Sequence, residues 1–454
     1  MSHLVDSRIY RDMFSTADMR EIFSDRALVQ AWLDAEVALA RAEAAIGVIP
    51  HWAAEEIARR AHADGIDLEA LKRHTEIVGY PILPLVRMLA AQCAGGAGEY
   101  IHWGATTQDI MDTGTVLQVR RAHQILVRDL ARLIDAAVSL AAQYRDVPMA
   151  GRTHGQQALP ITFGFKVAVW IAELSRHQAR LGAIAPRLFV GQLGGATGTL
   201  ASLGPAGLAV QERMMAELQL GIPPIAWHVA RDTFAEFVSL LALVCATVAK
   251  IGQEIALLQQ TEVAEVEEGY VEGRGGSSTM PQKRNPITCE ALVAIGAIVA
   301  QGAALMFAGM RHDHERATGP WHTEWDVIPE ACVLTGGALY HATALLHGLI
   351  VDPQRMARNL QLTNGLIVSE AVMMALAPAI GRQRAHEIVY RAAMAAVESG
   401  CPLEDALLRD PDVTTHLGQN ELRALLDPSA YIGLSGEFVD RVLAQARNPA
   451  STQP

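Results

Sequence analysis

The sequence predicts an all-α fold of three helical domains, the middle one a bundle of long helices. Composition is the first observation: half of the 454 residues are apolar and only 5% aromatic, with alanine abundant and alternating β-branched runs scarce. That balance favours helix over sheet. The second is length. Five stretches, near 114–144, 162–184, 233–260, 288–310 and 327–350, read as unbroken helix, each roughly twice or more the average of about 11–12 residues. A chain this long also exceeds one simple core, so several domains are expected.

The first strong helix is expected over 25–46. Leu28, Trp32, Val37 and Leu39 give it an apolar side, and Arg26, Asp34, Arg41 and Glu43 a charged one. Gly47, Pro50, Gly65, Gly79, Pro81 and Pro84 then punctuate short helices and loops as far as Trp103, giving an N-terminal domain over 1–110. The central domain is expected over 111–352. Several of its helices are apolar nearly all round; 291–310 holds only Gln301 as a strongly polar residue. A helix without a polar face must be buried on every side, so the bundle is expected to pack against other subunits. The longest apolar run, 237–249, is shorter than the roughly 20 residues of a membrane span, so a buried core helix is expected and no membrane partner. After Asp352-Pro353, breaks at Gly381, Gly400-Cys401-Pro402 and Asp427-Pro428 mark a small domain over 353–454, with a frayed tail over 448–454.

The net charge is −12 with no basic block, which argues against nucleic acid as a partner. Cys93, Cys245, Cys289, Cys332 and Cys401 are scattered, without a Cys-x-x-Cys pair. Free thiols in a reducing compartment are expected, and no secretory signal is apparent, so the location expected is cytoplasmic.

Unusual residues collect in the loops 102–109, 151–160, 192–199, 272–286 and 312–321. The most distinctive string is Gly275-Gly276-Ser277-Ser278-Thr279-Met280-Pro281-Gln282-Lys283-Arg284-Asn285-Pro286. Gly273, Gly275 and Gly276 make a backbone free to adopt positive φ, and a mobile loop carrying hydroxyls before a cation suggests a closing lid. Pro286 favours the start of the next helix. Lys283 and Asn285 would then lie near that helix N-terminus, where backbone N–H groups and the dipole favour an anion.

The string from Ser277 to Pro286 resembles the signature of the fumarase/aspartase superfamily. His102-Trp103-Gly104-Ala105-Thr106-Thr107-Gln108-Asp109 and Gly151-Arg152-Thr153-His154-Gly155-Gln156 resemble its first and second substrate-binding blocks, and the likeness spans nearly the whole chain. The resemblance implies a homotetramer crossed by a bundle of long helices, with active sites built from three subunits. It implies an anti elimination beside a carboxylate, on a small di- or tricarboxylate, with no cofactor and no metal. Such a reaction needs a base, a stabiliser of carboxylate charge and an acid for the leaving group.

By resemblance the base is Ser277 or Ser278, with Ser277 preferred, and the acid is His154, an imidazole suited to proton transfer near neutral pH. Lys283 and Asn285 would bind and stabilise the carboxylate, with Thr106, Thr107, Gln108, Thr153 and Gln156 adding contacts. Arg316 is a candidate for a second carboxylate, since a guanidinium binds one bidentately. His312 and His314 lack a defined third ligand, so no metal is expected. Gly194–Gly198 lacks the spacing of a dinucleotide loop.

Within the superfamily, the stretches 19–25, 100–105, 321–325 and 351–360 most resemble bacterial 3-carboxy-cis,cis-muconate cycloisomerases. Those carry tryptophan after the threonine of the second block, where this chain has His154. Tryptophan cannot act as a general acid and histidine can, which favours a lyase of the adenylosuccinate lyase kind. That lyase would cleave a C–N or C–O bond of a substituted succinate to give fumarate or a related enoate. The cycloisomerase is the alternative reading. A third is a non-catalytic protein on the same scaffold, as with lens crystallins; the joint presence of Ser277, Lys283, Asn285 and His154 counts against it.

Overall fold

The computed structural model describes residues 3–316 and 318–447, so the tail expected to fray lies outside the described residues. Helix accounts for 69% of the described residues, as an all-α fold requires. The five long helices are Thr107–Gln143, Phe163–Leu188, Asp232–Leu258, Ile287–Gly309 and Pro320–Gly348. The last starts earlier than the sequence suggests and runs through Pro329. Proline at its first position suits a helix start, because no N–H is lost there.

Contacts divide the chain into two units, and the cuts fall inside long helices. One unit is residues 1–131, 177–249 and 291–341; the other is 132–176, 250–290 and 342–454. Of the three consecutive segments expected, the first boundary falls just inside the Thr107–Gln143 helix. The second falls at Asp352, whose side chain accepts the Arg355 N–H to cap Pro353–Leu360.

In the first unit the Asp25–Ile46 helix is capped by Ser24, whose hydroxyl accepts the Ala27 N–H, and ends at Gly47 with φ 83°. Leu33 and Leu39 are fully buried. Glu43 departs from the charged side assigned to it: it is fully buried, and Glu36 nearly so. Residues seven apart share a helical face, so both carboxyls fall with the apolar stripe. Burial, together with the Glu36 charge, pushes the Glu43 pKa up to about 9. Elsewhere in this unit Gly296 permits close helix packing, since a Cβ there would stand 2.6 Å from Ala249 Cβ. Arg231 is buried between Asp112 and Glu324, donating at 2.8 and 2.9 Å to the first and 2.8 Å to the second.

Asp232–Leu258 and Ile287–Gly309 are long and apolar enough to cross a membrane, a property that counting uninterrupted apolar residues understates. Not every apolar side chain on them is covered: Leu243, Leu305 and Phe307 stay exposed within the chain. The complete burial expected of the 291–310 stretch is therefore not achieved by one copy.

In the second unit, short helices from Ser369 onward enclose a small core that includes Val372, Leu376, Ile388, Leu403 and Leu422. The unit also holds a feature the sequence reading assigned to a loop. Pro148–Thr153 and Gln156–Thr162 form an antiparallel hairpin with an irregularity at Gly151. The connection is a His-Gly pair rather than the Asn-Gly or Asp-Gly pair that signals a hairpin most strongly.

Candidate active site

The expected site residues fall into two groups, one in each unit. In the second unit, His154 occupies the tip of the hairpin. Thr153 and Gln156 are paired, leaving His154 and Gly155 as a two-residue turn with φ 53° and 74°. Positive φ at both positions is the geometry that matches strand twist in tight hairpins. For histidine it is an uncommon conformation. Thr153, His154 and Gln156 are all exposed, and no hydrogen bond engages their side chains among the described residues.

The Ser277 segment is a closed loop rather than a free strand of glycines. The Asn285 N–H donates to the Gly275 carbonyl at 2.9 Å, and Gly276 pairs with Arg284. Gly275 has φ 66°, and a Cβ there would lie 2.6 Å from the Asn285 oxygen. This glycine is demanded by the neck of the loop. Inside the loop, Ser277 Oγ accepts the Met280 N–H at 3.1 Å and the Thr279 N–H at 3.3 Å. Two donors on one oxygen favour its ionised form. Ser277 is half-buried, whereas Ser278 is exposed and has no hydrogen-bond partner among the described residues. Lys283 is exposed and Asn285 half-buried, and neither side chain has a partner among the described residues.

The helix N-terminus beyond them corrects the anion site expected there. Glu268 accepts the Thr288 N–H at 3.3 Å, the Thr288 hydroxyl at 2.8 Å and the Cys289 N–H at 2.9 Å. The free N–H groups and dipole have attracted a carboxylate of the chain itself. Lys283 and Asn285 remain available to an anion, but without those N–H groups.

In the first unit, Thr106–Asp109 opens the Thr107–Gln143 helix. Asp109, fully buried, is the hub. It accepts the Thr106 N–H, the Gly194 N–H and the Gly195 N–H at 2.9 Å each, and lies 2.7 Å from His228 Nε2. The glycines of 194–198 thus serve a loop tied to this carboxylate. Sequence reasoning gave Asp109 no role, although Thr-x-x-Asp is a readable variant of a capping box. Gln108 is buried, and its amide donates to the His228 carbonyl at 2.9 Å, leaving only its own oxygen unpaired. Thr106 and Thr107 are half-buried with free hydroxyls among the described residues. His102, also with positive φ, lies with Nδ1 2.7 Å from Glu36. Burial opposes its charge, but the Glu36 carboxylate outweighs burial and raises the imidazole pKa. Arg316 donates to the Ala196 carbonyl at 2.8 Å and makes no carboxylate pair among the described residues.

Residues 13–302 match the family model described as Lyase, and residues 365–442 the one described as Adenylosuccinate lyase C-terminus. The chain belongs to the fumarase/aspartase superfamily of lyases. It is 45% identical to 3-carboxy-cis,cis-muconate cycloisomerase of Pseudomonas aeruginosa, over 98% of each chain. It is 42% identical to N-acetyl-S-(2-succino)cysteine lyase of Enterococcus italicus, over 98% of this chain and 97% of that one. Among solved structures it is similar to fumarate lyase from Mesorhizobium sp. BNC1, with TM-score 0.90, 48% identity, and 95% and 98% of the two chains covered. The superfamily acts on small carboxylates and is typically oligomeric, which places the exposed apolar side chains of the long helices in context.

Proposed function

We propose that this superfamily lyase performs an anti β-elimination on a substituted succinate, cleaving a C–N bond, or a C–O bond, to give fumarate or a related enoate. Ser277 Oγ takes the proton from the carbon beside a carboxylate. Lys283 and Asn285 hold that carboxylate as charge develops on it. The C–N electron pair leaves with nitrogen, and His154 supplies the proton.

One observation carries this reading: His154 stands exposed at the tip of a tight hairpin, with its ring unengaged among the described residues. A core histidine would be enclosed and paired. The likeness to a succinocysteine lyase agrees with loss of a heteroatom from a succinate carbon. The reading extends to a cytoplasmic homotetramer that needs neither metal nor cofactor. Covering Leu243, Leu305 and Phe307 supplies a physical reason for assembly. A panel of adenylosuccinate, argininosuccinate, aspartate and malate tests it through enoate formation. Lactonisation of 3-carboxymuconate is the second reading, favoured by the 45% identity to a cycloisomerase. Its test is loss of the conjugated diene.

A further inference from the structure

The hairpin that carries His154 is gripped from below at both strands. Arg152 and Gln157 are cross-strand partners one pair beneath the turn-flanking Thr153 and Gln156. Arg152 donates to Glu265 through two nitrogens, at 2.9 and 2.8 Å. Gln157 donates its side-chain amide to the Asn359 backbone carbonyl at 3.0 Å. The two holds are joined, because Asn359 Nδ2 donates to Glu265 at 2.8 Å and to the Val263 carbonyl at 2.8 Å. Glu265 is fully buried and Asn359 nearly so. Glu265 is itself fixed through its backbone, its N–H bonded to the Leu258 carbonyl at 2.9 Å and its carbonyl to the Asp352 N–H at 3.0 Å.

We propose that Glu265 and Asn359 are positioning residues for His154, forming one clamp that holds both strands of its hairpin. The clamp rests on the reading of His154 as the acid. It also gives a role to the 351–360 stretch, which the proposed chemistry leaves unused. A two-stranded hairpin is marginal by itself. A histidine at positive φ persists only where its surroundings over-determine it. An acid must also sit within hydrogen-bond reach of the departing atom, and a misplacement of about 1 Å costs roughly 100-fold in rate.

The test compares the full-length wild type with Asn359→Ala, which cuts the join to Glu265 and Val263 but keeps the backbone carbonyl that Gln157 bonds, and with Gln157→Ala, which releases one strand directly. Hydrogen exchange is followed over 148–162. Turnover is measured on N-methylaspartate, whose amine must be protonated, and on 2-(4-nitrophenoxy)succinate, whose leaving group needs no acid. The clamp predicts faster exchange in the hairpin but not in the long helices. It predicts kcat down about 100-fold on the amine with KM little changed, and near-normal turnover of the phenoxide. Gln157→Ala should shift both readouts in the same direction, and it carries the test if Asn359→Ala fails to fold. Unchanged hairpin exchange, or equal loss on both substrates, overturns the proposal. If the wild type eliminates neither group, the elimination reading fails, and the exchange comparison still decides whether the clamp exists.

Discussion

Glu268 accepts both the N–H and the hydroxyl of Thr288, so the first turn of the Ile287–Gly309 helix is closed by the chain's own carboxylate. This separates two roles that the sequence merges at the 277–286 segment. The helix end is a structural cap, and the loop before it presents Ser277, Lys283 and Asn285. Replacing Glu268 with Ala strands buried donors, and the expected loss is about 1–3 kcal/mol of stability. Thermal unfolding measures it; an unchanged midpoint would show that water caps the helix equally well.

Gly275→Ala tests whether the neck of the loop sets its geometry. The residue has φ 66°, and an added Cβ would lie 2.6 Å from the Asn285 oxygen. The enzyme should fold, lose about 1–2 kcal/mol and lose at least about tenfold in kcat/KM. A variant with wild-type kinetics would mean that the loop tolerates a wider neck, as a freely mobile lid would.

Stability should depend on pH through Glu43. Its folded pKa, about 9, is raised from 4.5. The folded state therefore binds a proton that the unfolded chain releases, and stability falls as pH rises across that window. Glu43→Gln keeps the shape and removes the titration. At pH 8 it should raise the unfolding midpoint, with little change at pH 4.5. An identical pH profile in both proteins would place the buried charge elsewhere.

The buried Arg231 offers a contrast. Its guanidinium serves Asp112 and Glu324 together, so Arg231→Met leaves two carboxylates unpaired. The expected loss is about 3–5 kcal/mol, read by denaturant unfolding. Glu324 is already raised in pKa, by burial first and with the Asp112 charge adding to it, against the pull of Arg231. Partial rescue at lower pH should follow, as the carboxyls become neutral. A loss that does not change with pH would contradict this.

The long helices were legible because their apolar runs exceed any strand, and their ends came out within a few residues except for the earlier starts at Thr107 and Pro320. The hairpin was not. Its strands are short, its turn is His154-Gly155, and in sequence the block looks like a polar loop. Local pattern also misplaced Glu43, because an isolated carboxylate reads as solvent-facing whichever face it occupies. At the site, residue identity was readable and partnership was not. Gln108 turns inward to His228. Asp109 organises four donors that lie up to 119 residues away. Such pairings depend on tertiary packing, which no spacing rule encodes.

We propose that His154 makes this chain an elimination enzyme rather than a lactonising one. It is tested most directly by measuring enoate formation from amine-releasing substituted succinates with wild type, Ser277→Ala and His154→Ala, beside turnover of 3-carboxymuconate. Enoate is expected from the wild type, almost none from Ser277→Ala, and a loss of about 100- to 10,000-fold in His154→Ala. Turnover of 3-carboxymuconate without enoate from any substituted succinate, or undiminished amine release by His154→Ala, would contradict it.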